Sequence, residues 1–539
     1  MRFLLILLFL GVFSLASASI DSLPLHYYWV YFRDKVSWKE RITQPHTFLS
    51  LQAIQRRIQS KVLIDTLDLP IASSYLKPFE QNKKIQILGS SKWLNLLLVK
   101  TSLSQEILSQ MPGVKRVERL ILRSSYHKAS ENTQKVKSQF RSSYGLAQTQ
   151  VELIPGLTDL HLAEKTGKGI IVAIFDSGFI GVPSNPAFAV ALNEGRILGT
   201  RNFVNASQDV FSEDDHGSEV FSVIGAYLPQ KMVGTAYGAS FYLAKTENPN
   251  SETRIEEFNW LRAAEWADSL GVHIISSSLN YNTFDNPQEN YTYSDLDGKT
   301  SIISRAAAIA ASKGILVVCS AGNYGARTWR YILPPCDADS ILCVGGGRTD
   351  GSRWPSSSVG PTADNRIKPD VVALGQSCAI VTAQGNVTVG SGTSYAAPII
   401  SGMAACLWQA HPQALASQIR KAILTTASHA NMPNFEIGYG WPNASRADSC
   451  LKAWSTTSQE PEILFFPNPT SQKGYFGLVG LGLNKYQLRL FEANGKEILH
   501  LKNLIANIQY SVPLPSTPGI YYLEATWQKG KVTKKIWIQ

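Results

Sequence analysis

Gly169-Ile170-Ile171-Val172-Ala173-Ile174-Phe175-Asp176 is the stretch on which the fold turns. Its six successive apolar residues, Ile170 to Phe175, suit a strand buried on both faces. Such a strand belongs in a parallel sheet covered by helices on either side, not in an antiparallel sheet with one wet face. The surrounding pattern agrees. Thr253 to Leu270 is amphipathic and stops at Gly271, and Thr300 to Lys313 stops at Gly314. Glycine just past a helical pattern is a common stop signal, and each helix is followed by an apolar strand candidate. Alternation of this kind predicts an α/β domain with a mostly parallel sheet flanked by helices.

In open α/β sheets, sites form beyond the carboxyl ends of the strands. Asp176-Ser177-Gly178 falls at one such end; taken alone, it is an aspartate capping a turn. His216 lies in Asp214-Asp215-His216-Gly217-Ser218-Glu219-Val220, where Val220, Phe221, Val223 and Ile224 predict a helix beginning just after the histidine. Asn323 closes Ser320-Ala321-Gly322-Asn323, directly after the apolar run Ile315 to Cys319. A side-chain amide there can donate to a developing oxyanion, although Asn after Gly is also an ordinary turn. Finally, Gly392-Thr393-Ser394-Tyr395-Ala396-Ala397-Pro398 puts a serine at the head of a nearly all-apolar helix, Ile399 to Trp408. Unpaired N–H groups and the helix dipole favour an anion at that point.

The order Asp176, His216, Asn323, Ser394 resembles that of the subtilisin-like serine proteases over roughly residues 145 to 450. Lesser motifs join it: Val233 to Ala239, Gly271 to Leu279, and Arg366-Ile-Lys-Pro-Asp-Val371. The resemblance implies a three-layer catalytic domain in which Ser394 is the nucleophile and His216 the general base. Asp176 orients the imidazole and Asn323 contributes to the oxyanion hole. It also implies that Ser276 to Asn280 pairs with an extended substrate, with Ser278, Leu279, Asn280 and Gly322 bordering the first specificity pocket. Two residues depart from many relatives. Asn280 stands where glycine is frequent, which alters pocket shape, and Tyr395 stands where Met or Phe is frequent, a change of packing.

Outside this region the chain divides. Met1-Arg2 and the apolar run to Leu10, followed by Ala16-Ser17-Ala18, read as a signal peptide over 1–18. Residues 19–145 are expected to form a small α+β propeptide, with an alternating strand at Tyr28 to Phe32 and a helix from Leu49 to Ser60. By resemblance, it assists folding and inhibits the enzyme. The polar stretch Tyr126 to Gln148 reads as a cleavable linker. The catalytic domain is assigned to 146–455. Residues 463–539 show short alternating strands separated by turns such as Ala493-Asn494-Gly495, the pattern of a small β-sandwich. Pro467-Asn468-Pro469 and the tail Lys534 to Gln539 make this part similar to the C-terminal sorting domain of the type IX secretion system. That resemblance implies export to the cell surface or medium and the secretion machinery as a partner.

The chain has 539 residues and a formal net charge of +10. No aromatic-interleaved basic stripe accompanies that charge, so a nucleic-acid partner is not expected, nor is an integral membrane segment. The six cysteines, Cys319, Cys336, Cys343, Cys378, Cys406 and Cys450, leave connectivity open. Cys336–Cys343 is the first choice, and Cys406 reads as a buried thiol. No cofactor is required by the implied chemistry, and calcium remains an option because it stabilises some relatives. Asp295-Leu296-Asp297-Gly298 resembles part of a calcium loop but lacks its full ligand spacing, and reads as a solvated turn. The sequons at Asn205, Asn290, Asn386 and Asn443 carry no weight in a bacterial protein. The chain therefore reads as a secreted serine endopeptidase acting through an acyl-enzyme on protein or peptide substrates. Two readings compete. One is a catalytically silent surface binding protein of the same fold, against which stands the presence of all four residues. The other is an esterase, which calls for a Gly-x-Ser-x-Gly elbow.

Overall fold

The computed structural model describes residues 24–36, 38–42, 44–122, 143–205, 209–456, 462–466, 473–479, 485–505, 510–528 and 530–538. The expected signal peptide and most of the expected linker lie outside them.

The central sheet has seven strands in the order Val371–Leu374, Leu342–Gly347, Leu316–Ser320, Ile274–Ser277, Ile171–Asp176, Ser240–Lys245, Ile197–Asn202. Every pairing in it is parallel. The continuous apolar run is explained by two separate cores. Val172 and Ile174 enter the core on one face, while Ala173 and Phe175 enter the core on the other. The first core holds the helices His216–Gly225 and Thr393–Ala410, and the second holds Arg254–Leu270 and Ile302–Ser312. Three layers result.

Helix ends sit where the local chemistry stops them. Thr253 caps Arg254–Leu270 by accepting from Ile255 N at 3.4 Å, and the Glu256 carboxylate reaches back to Thr253 N. The helix ends at Gly271 with φ of +85°; a Cβ there would also lie 2.5 Å from Gln52 Cβ, so glycine permits both the turn and a close approach.

That approach comes from the N-terminal unit. Its four-stranded antiparallel sheet has the order Ile85–Ser91, Leu96–Thr101, His26–Phe32, Val114–Leu120. Alternation in the first strand gives it two apolar faces. Tyr28, Val30 and Phe32 pack on the unit's own core with Phe79 and Leu108, whereas Trp29 and Tyr31 join the second core of the catalytic region. Glu265, on the helix Arg254–Leu270, accepts from Ser91 Oγ at 2.5 Å, Trp93 N at 2.9 Å and Lys92 N at 3.1 Å.

The helix Leu51–Gln59 adds a buried ionic anchor. Arg57 Nη2 donates to Asp68 at 2.7 Å and to Asp268 at 2.8 Å, with Arg57 1% and both aspartates 0% exposed. Arg56 bonds Asp268 and donates to Val272 O at 2.6 Å. Removing one partner of such a group strands the other charge in a dry interior. Arg57→Met is therefore expected to weaken the hold of this helix by about 3 kcal/mol. Amide exchange across Leu51–Gln59 should accelerate on the order of a hundredfold; exchange at the wild-type rate would show that the network contributes nothing net.

Residues 143–154 already pack on the catalytic side: Leu146 N donates to Lys231 O at 2.8 Å, and Ala147 and Val151 are in the first core. At the far end, Glu462–Phe466, Lys473–Val479 and Tyr510–Pro513 form one antiparallel sheet. Glu497–Ile505, Lys485–Glu492, Gly519–Trp527 and Gly530–Ile538 form another. Ile463 and Phe465 share one core with Leu488, Leu523 and Ile536, so the expected β-sandwich is formed. Cys336–Cys343 is a disulfide, and Cys319, Cys378, Cys406 and Cys450 are free. No helix among the described residues is long and apolar enough to cross a membrane.

Candidate active site

Asp176, at the carboxyl end of its strand, is fully buried. Its Oδ1 accepts three hydrogen bonds: from His216 Nδ1 at 2.7 Å, Ser177 N at 2.8 Å and Ser177 Oγ at 3.1 Å. Its Oδ2 is buried with no partner among the described residues. A carboxylate facing Nδ1 selects the tautomer with the proton on that nitrogen, leaving Nε2 as the acceptor.

His216 opens its helix, its own N–H donating to Asp214 Oδ1 at 3.0 Å. The following Gly217 is what lets the imidazole reach Asp176. A Cβ at that position would lie 2.3 Å from Gly178 O and 2.8 Å from Asp176 Cβ. Under His216 lies Tyr395, with ring centroids 6.1 Å apart, fully buried and donating its hydroxyl to Glu219 Oε2 at 2.6 Å. The expected packing role for Tyr395 is thus realised beneath the histidine.

Ser394 is the second residue of Thr393–Ala410 and is 5% exposed. A first-turn N–H has no acceptor within its own helix. Thr393 N, one of these, donates to Asn323 Oδ1 at 2.9 Å, and Thr393 Oγ1 donates to the same atom at 2.9 Å. Thr393 Oγ1 also accepts from Gly322 N at 3.1 Å. Two donors on Oδ1 fix which way the amide points: its oxygen faces Thr393, so the Asn323 Nδ2 is the end available as a donor. Pro398 sits inside the helix four residues after Ser394 and has no N–H, so the Ser394 carbonyl lacks its helical partner. Ser278 Oγ supplies it, donating at 2.8 Å.

The residues expected at the specificity pocket are brought together at the ends of neighbouring strands, but not all are directed outward. The Ser278 hydroxyl is engaged by Ser394. Leu279 is buried, at 8% exposed. Asn280 turns sideways, Nδ2 donating to Ser320 O at 2.7 Å and Oδ1 accepting from Ser320 Oγ at 3.0 Å. Its bulk is thus tied to the adjacent strand end, where Cys336 Sγ also lies 3.1 Å from Ser320 O. Gly322 has φ of +101°, and a Cβ there would lie 2.9 Å from Leu333 Cδ1. The roles of Thr393, Gly217 and Pro398 went unread in the sequence, though a proline inside a helical pattern was a visible signal that one carbonyl needed another partner.

In the Asp295–Gly298 stretch the carboxylates are engaged by local backbone. Asp297 Oδ1 accepts from Lys299 N at 2.8 Å and Thr300 N at 2.7 Å, and Asp295 Oδ2 accepts from Thr292 N at 2.7 Å. This is a turn and a helix lead-in, consistent with the solvated-turn reading.

Comparison with known proteins gives three family matches. The Subtilase family model covers residues 167–440, just over half of the chain. The Peptidase S8 propeptide domain, Bacteroidota, covers 27–138, and the Secretion system C-terminal sorting domain covers 464–539. An alkaline protease of Alkalihalobacillus alcalophilus is 24% identical over 399 residues, 74% of this chain and 94% of that one. Subtilisin E of Bacillus subtilis (strain 168) is 27% identical over 308 residues, 56% of this chain and 70% of its own. Among solved structures, the prenylagaramide maturation protease PagA aligns at TM-score 0.44 and 22% identity, covering 55% of this chain and 99% of that one.

Proposed function

The chain belongs to the subtilase family of serine endopeptidases, and from that premise we propose that it hydrolyses peptide bonds through Ser394, His216 and Asp176, with Asn323 at the oxyanion. The observation that carries this reading is the Asp176–His216 hydrogen bond of 2.7 Å, with His216 packed against Tyr395, the residue that follows Ser394 at a helix N-terminus. Ser394 Oγ attacks the scissile carbonyl while His216 Nε2 takes its proton. Asn323 Nδ2 and the Ser394 N–H stabilise the tetrahedral oxyanion. His216 then protonates the leaving amine, and water cleaves the acyl-enzyme by the same route in reverse.

The N-terminal unit acts as an inhibitor in this reading, held by its sheet and by the Arg57–Asp268 anchor until the segment after Leu122 is cut. The C-terminal unit carries a secretion sorting signal, which supports export to the surface or medium, and the sequence at 1–18 supplies the first export step.

Asn323→Leu keeps the approximate size and removes the amide. Turnover should fall about a hundred- to a thousandfold with KM nearly unchanged, the scale known for the equivalent donor of subtilisin itself. A rise in KM with kcat unchanged would instead make Asn323 a ground-state contact. The reading as a whole is tested by labelling the secreted protein with a fluorophosphonate. A labelled band smaller than the full chain is expected; a folded, processed protein that takes no label would mean a silent binding protein.

A further inference from the structure

Ser394 and His216 sit on two different helices, and one hydrogen bond ties those helices together beneath them. Tyr395 directly follows Ser394 on Thr393–Ala410, and Glu219 lies three residues after His216 on His216–Gly225. Residues three apart on a helix share one side of it. The Tyr395 hydroxyl donates to Glu219 Oε2 at 2.6 Å, while its ring lies against the imidazole of His216. Both partners are shut away from solvent, Tyr395 fully and Glu219 at 8% exposed.

The surroundings hold this pair in place. Gly390 makes room for the ring, since a Cβ there would lie 2.6 Å from Tyr395 Cε2. The Glu219 backbone is pinned on both sides. Its N–H donates to Asp215 O at 3.1 Å, and its carbonyl accepts from Ser222 Oγ at 2.6 Å. Ser222 Oγ in turn accepts from Val381 N at 2.9 Å, which moors the helix to the strand Cys378–Val381. Glu219 stands in the first turn of its helix, where the dipole favours a negative charge.

Packing alone does not call for such a pair. A phenylalanine would fill the space under His216 without bringing a polar group that must be satisfied. The chain instead places a hydroxyl and a carboxyl group there, so that His216 has a second carboxyl group beside it. The first is Asp176, on the Nδ1 side. Of the two aspartates that precede the helix, Asp214 is engaged by the His216 N–H at 3.0 Å, and Asp215 O by the Glu219 N–H. On the strands and helix packed against His216–Gly225, the remaining ionisable side chains are Cys378 and Cys406, whose thiols burial pushes up and keeps neutral.

We propose that Glu219 and Tyr395 are positioning residues for the hydrolysis assigned above to Ser394 and His216. Tyr395 holds the histidine's helix to the serine's helix. The Glu219 carboxylate favours the positive charge that His216 gains when it takes the serine proton. The inference rests on the protease reading and adds two residues to it.

The processed enzyme is assayed on a peptide without ionisable groups, across the acid side of its pH profile. Glu219→Gln keeps the size and an acceptor for Tyr395 but removes the charge. Losing a nearby anion makes the imidazolium less favourable, so His216 becomes a free base at lower pH. The acid limb of kcat/KM should therefore move down by about 0.5–1 pH unit, with kcat about three- to tenfold lower. Tyr395→Phe keeps the ring and the carboxylate and cuts the link between the helices. Here kcat should fall about tenfold with KM nearly unchanged, and the acid limb should not move down. An acid limb at the wild-type pH in folded Glu219→Gln overturns the inference, because a merely structural glutamate would be replaced without any such shift. Wild-type kcat in Tyr395→Phe overturns it too. If Glu219→Gln does not fold, the split between kcat and KM in Tyr395→Phe decides alone. Fluorophosphonate labelling of the wild type separates the two levels. A labelled enzyme whose variants behave like wild type sinks only this inference, whereas a folded, processed enzyme that takes no label overturns the protease reading and takes the inference with it.

Discussion

Ser394→Ala is expected to lower turnover about a millionfold, the scale on which subtilisin itself responds to loss of its nucleophile, and to leave the chain at full length. Both effects follow from one missing atom. Without Oγ, no acyl-enzyme forms, and neither His216 nor Asn323 has a tetrahedral intermediate to act on. The substitution is otherwise gentle. Ser394 is 5% exposed, its carbonyl still accepts from Ser278 Oγ, and alanine is a better helix former than serine. Folding should therefore survive, with the propeptide in place. The measurement is a purified Ser394→Ala chain, expressed alone, incubated and read by intact mass beside the wild type, with cleavage of a denatured protein as the activity assay. An uncut variant and a trimmed wild type are the expected pair. A variant trimmed at the same bond would show that another protease performs maturation, and residual turnover far above a millionth of wild type would remove Ser394 from the nucleophile's place.

How much of this was legible in the residues depended on how local the cause was. The buried strand Ile171–Asp176 was readable because a parallel strand buried on two faces has no polar alternation to hide it. The helix Arg254–Leu270 was readable from its stop at Gly271, whose positive φ is a local requirement. Cys336–Cys343 was within reach because only a short turn separates Cys336 from Cys343 at the start of the strand Leu342–Gly347. What could not be read were contacts set by tertiary register. Arg57 finds Asp268 only after the propeptide has docked. Asn280 was expected to reshape the pocket by bulk, yet it is tied to Ser320, because the two strand ends lie side by side in the folded sheet. Thr393 carried no assigned role in the sequence. Its hydroxyl and N–H orient the Asn323 amide, a role that exists only because the serine helix starts beside the end of Leu316–Ser320.

Asp176→Asn should lower kcat about a thousandfold while leaving KM close to wild type. The size comes from electrostatics. A carboxylate and an imidazolium some 4 Å apart, at the effective dielectric of about 20 found in proteins, attract by about 4 kcal/mol, and that is close to a thousandfold in rate. An asparagine keeps the shape and removes this attraction at the moment His216 becomes charged. The orientation of the new amide decides whether the loss goes further. Ser177 N donates to Asp176 Oδ1 at 2.8 Å, and a backbone N–H cannot turn away, so the amide oxygen should hold the Oδ1 position. His216 Nδ1–H then keeps its acceptor, and the catalytic tautomer persists. The amide nitrogen falls on the Oδ2 site, which is buried and offers no partner among the described residues, so about 1–3 kcal/mol of stability should be lost as well. If instead the amide flips, His216 must accept at Nδ1 and carry its proton on Nε2. That is the wrong tautomer to receive a proton from serine, and the fall should approach about ten-thousandfold. Nitrogen-15 spectra of His216 report which nitrogen is protonated, independently of activity. A protonated Nδ1 together with a thousandfold loss is the expected combination. Wild-type turnover in the folded variant would mean that Asp176 contributes neither charge nor orientation to the histidine.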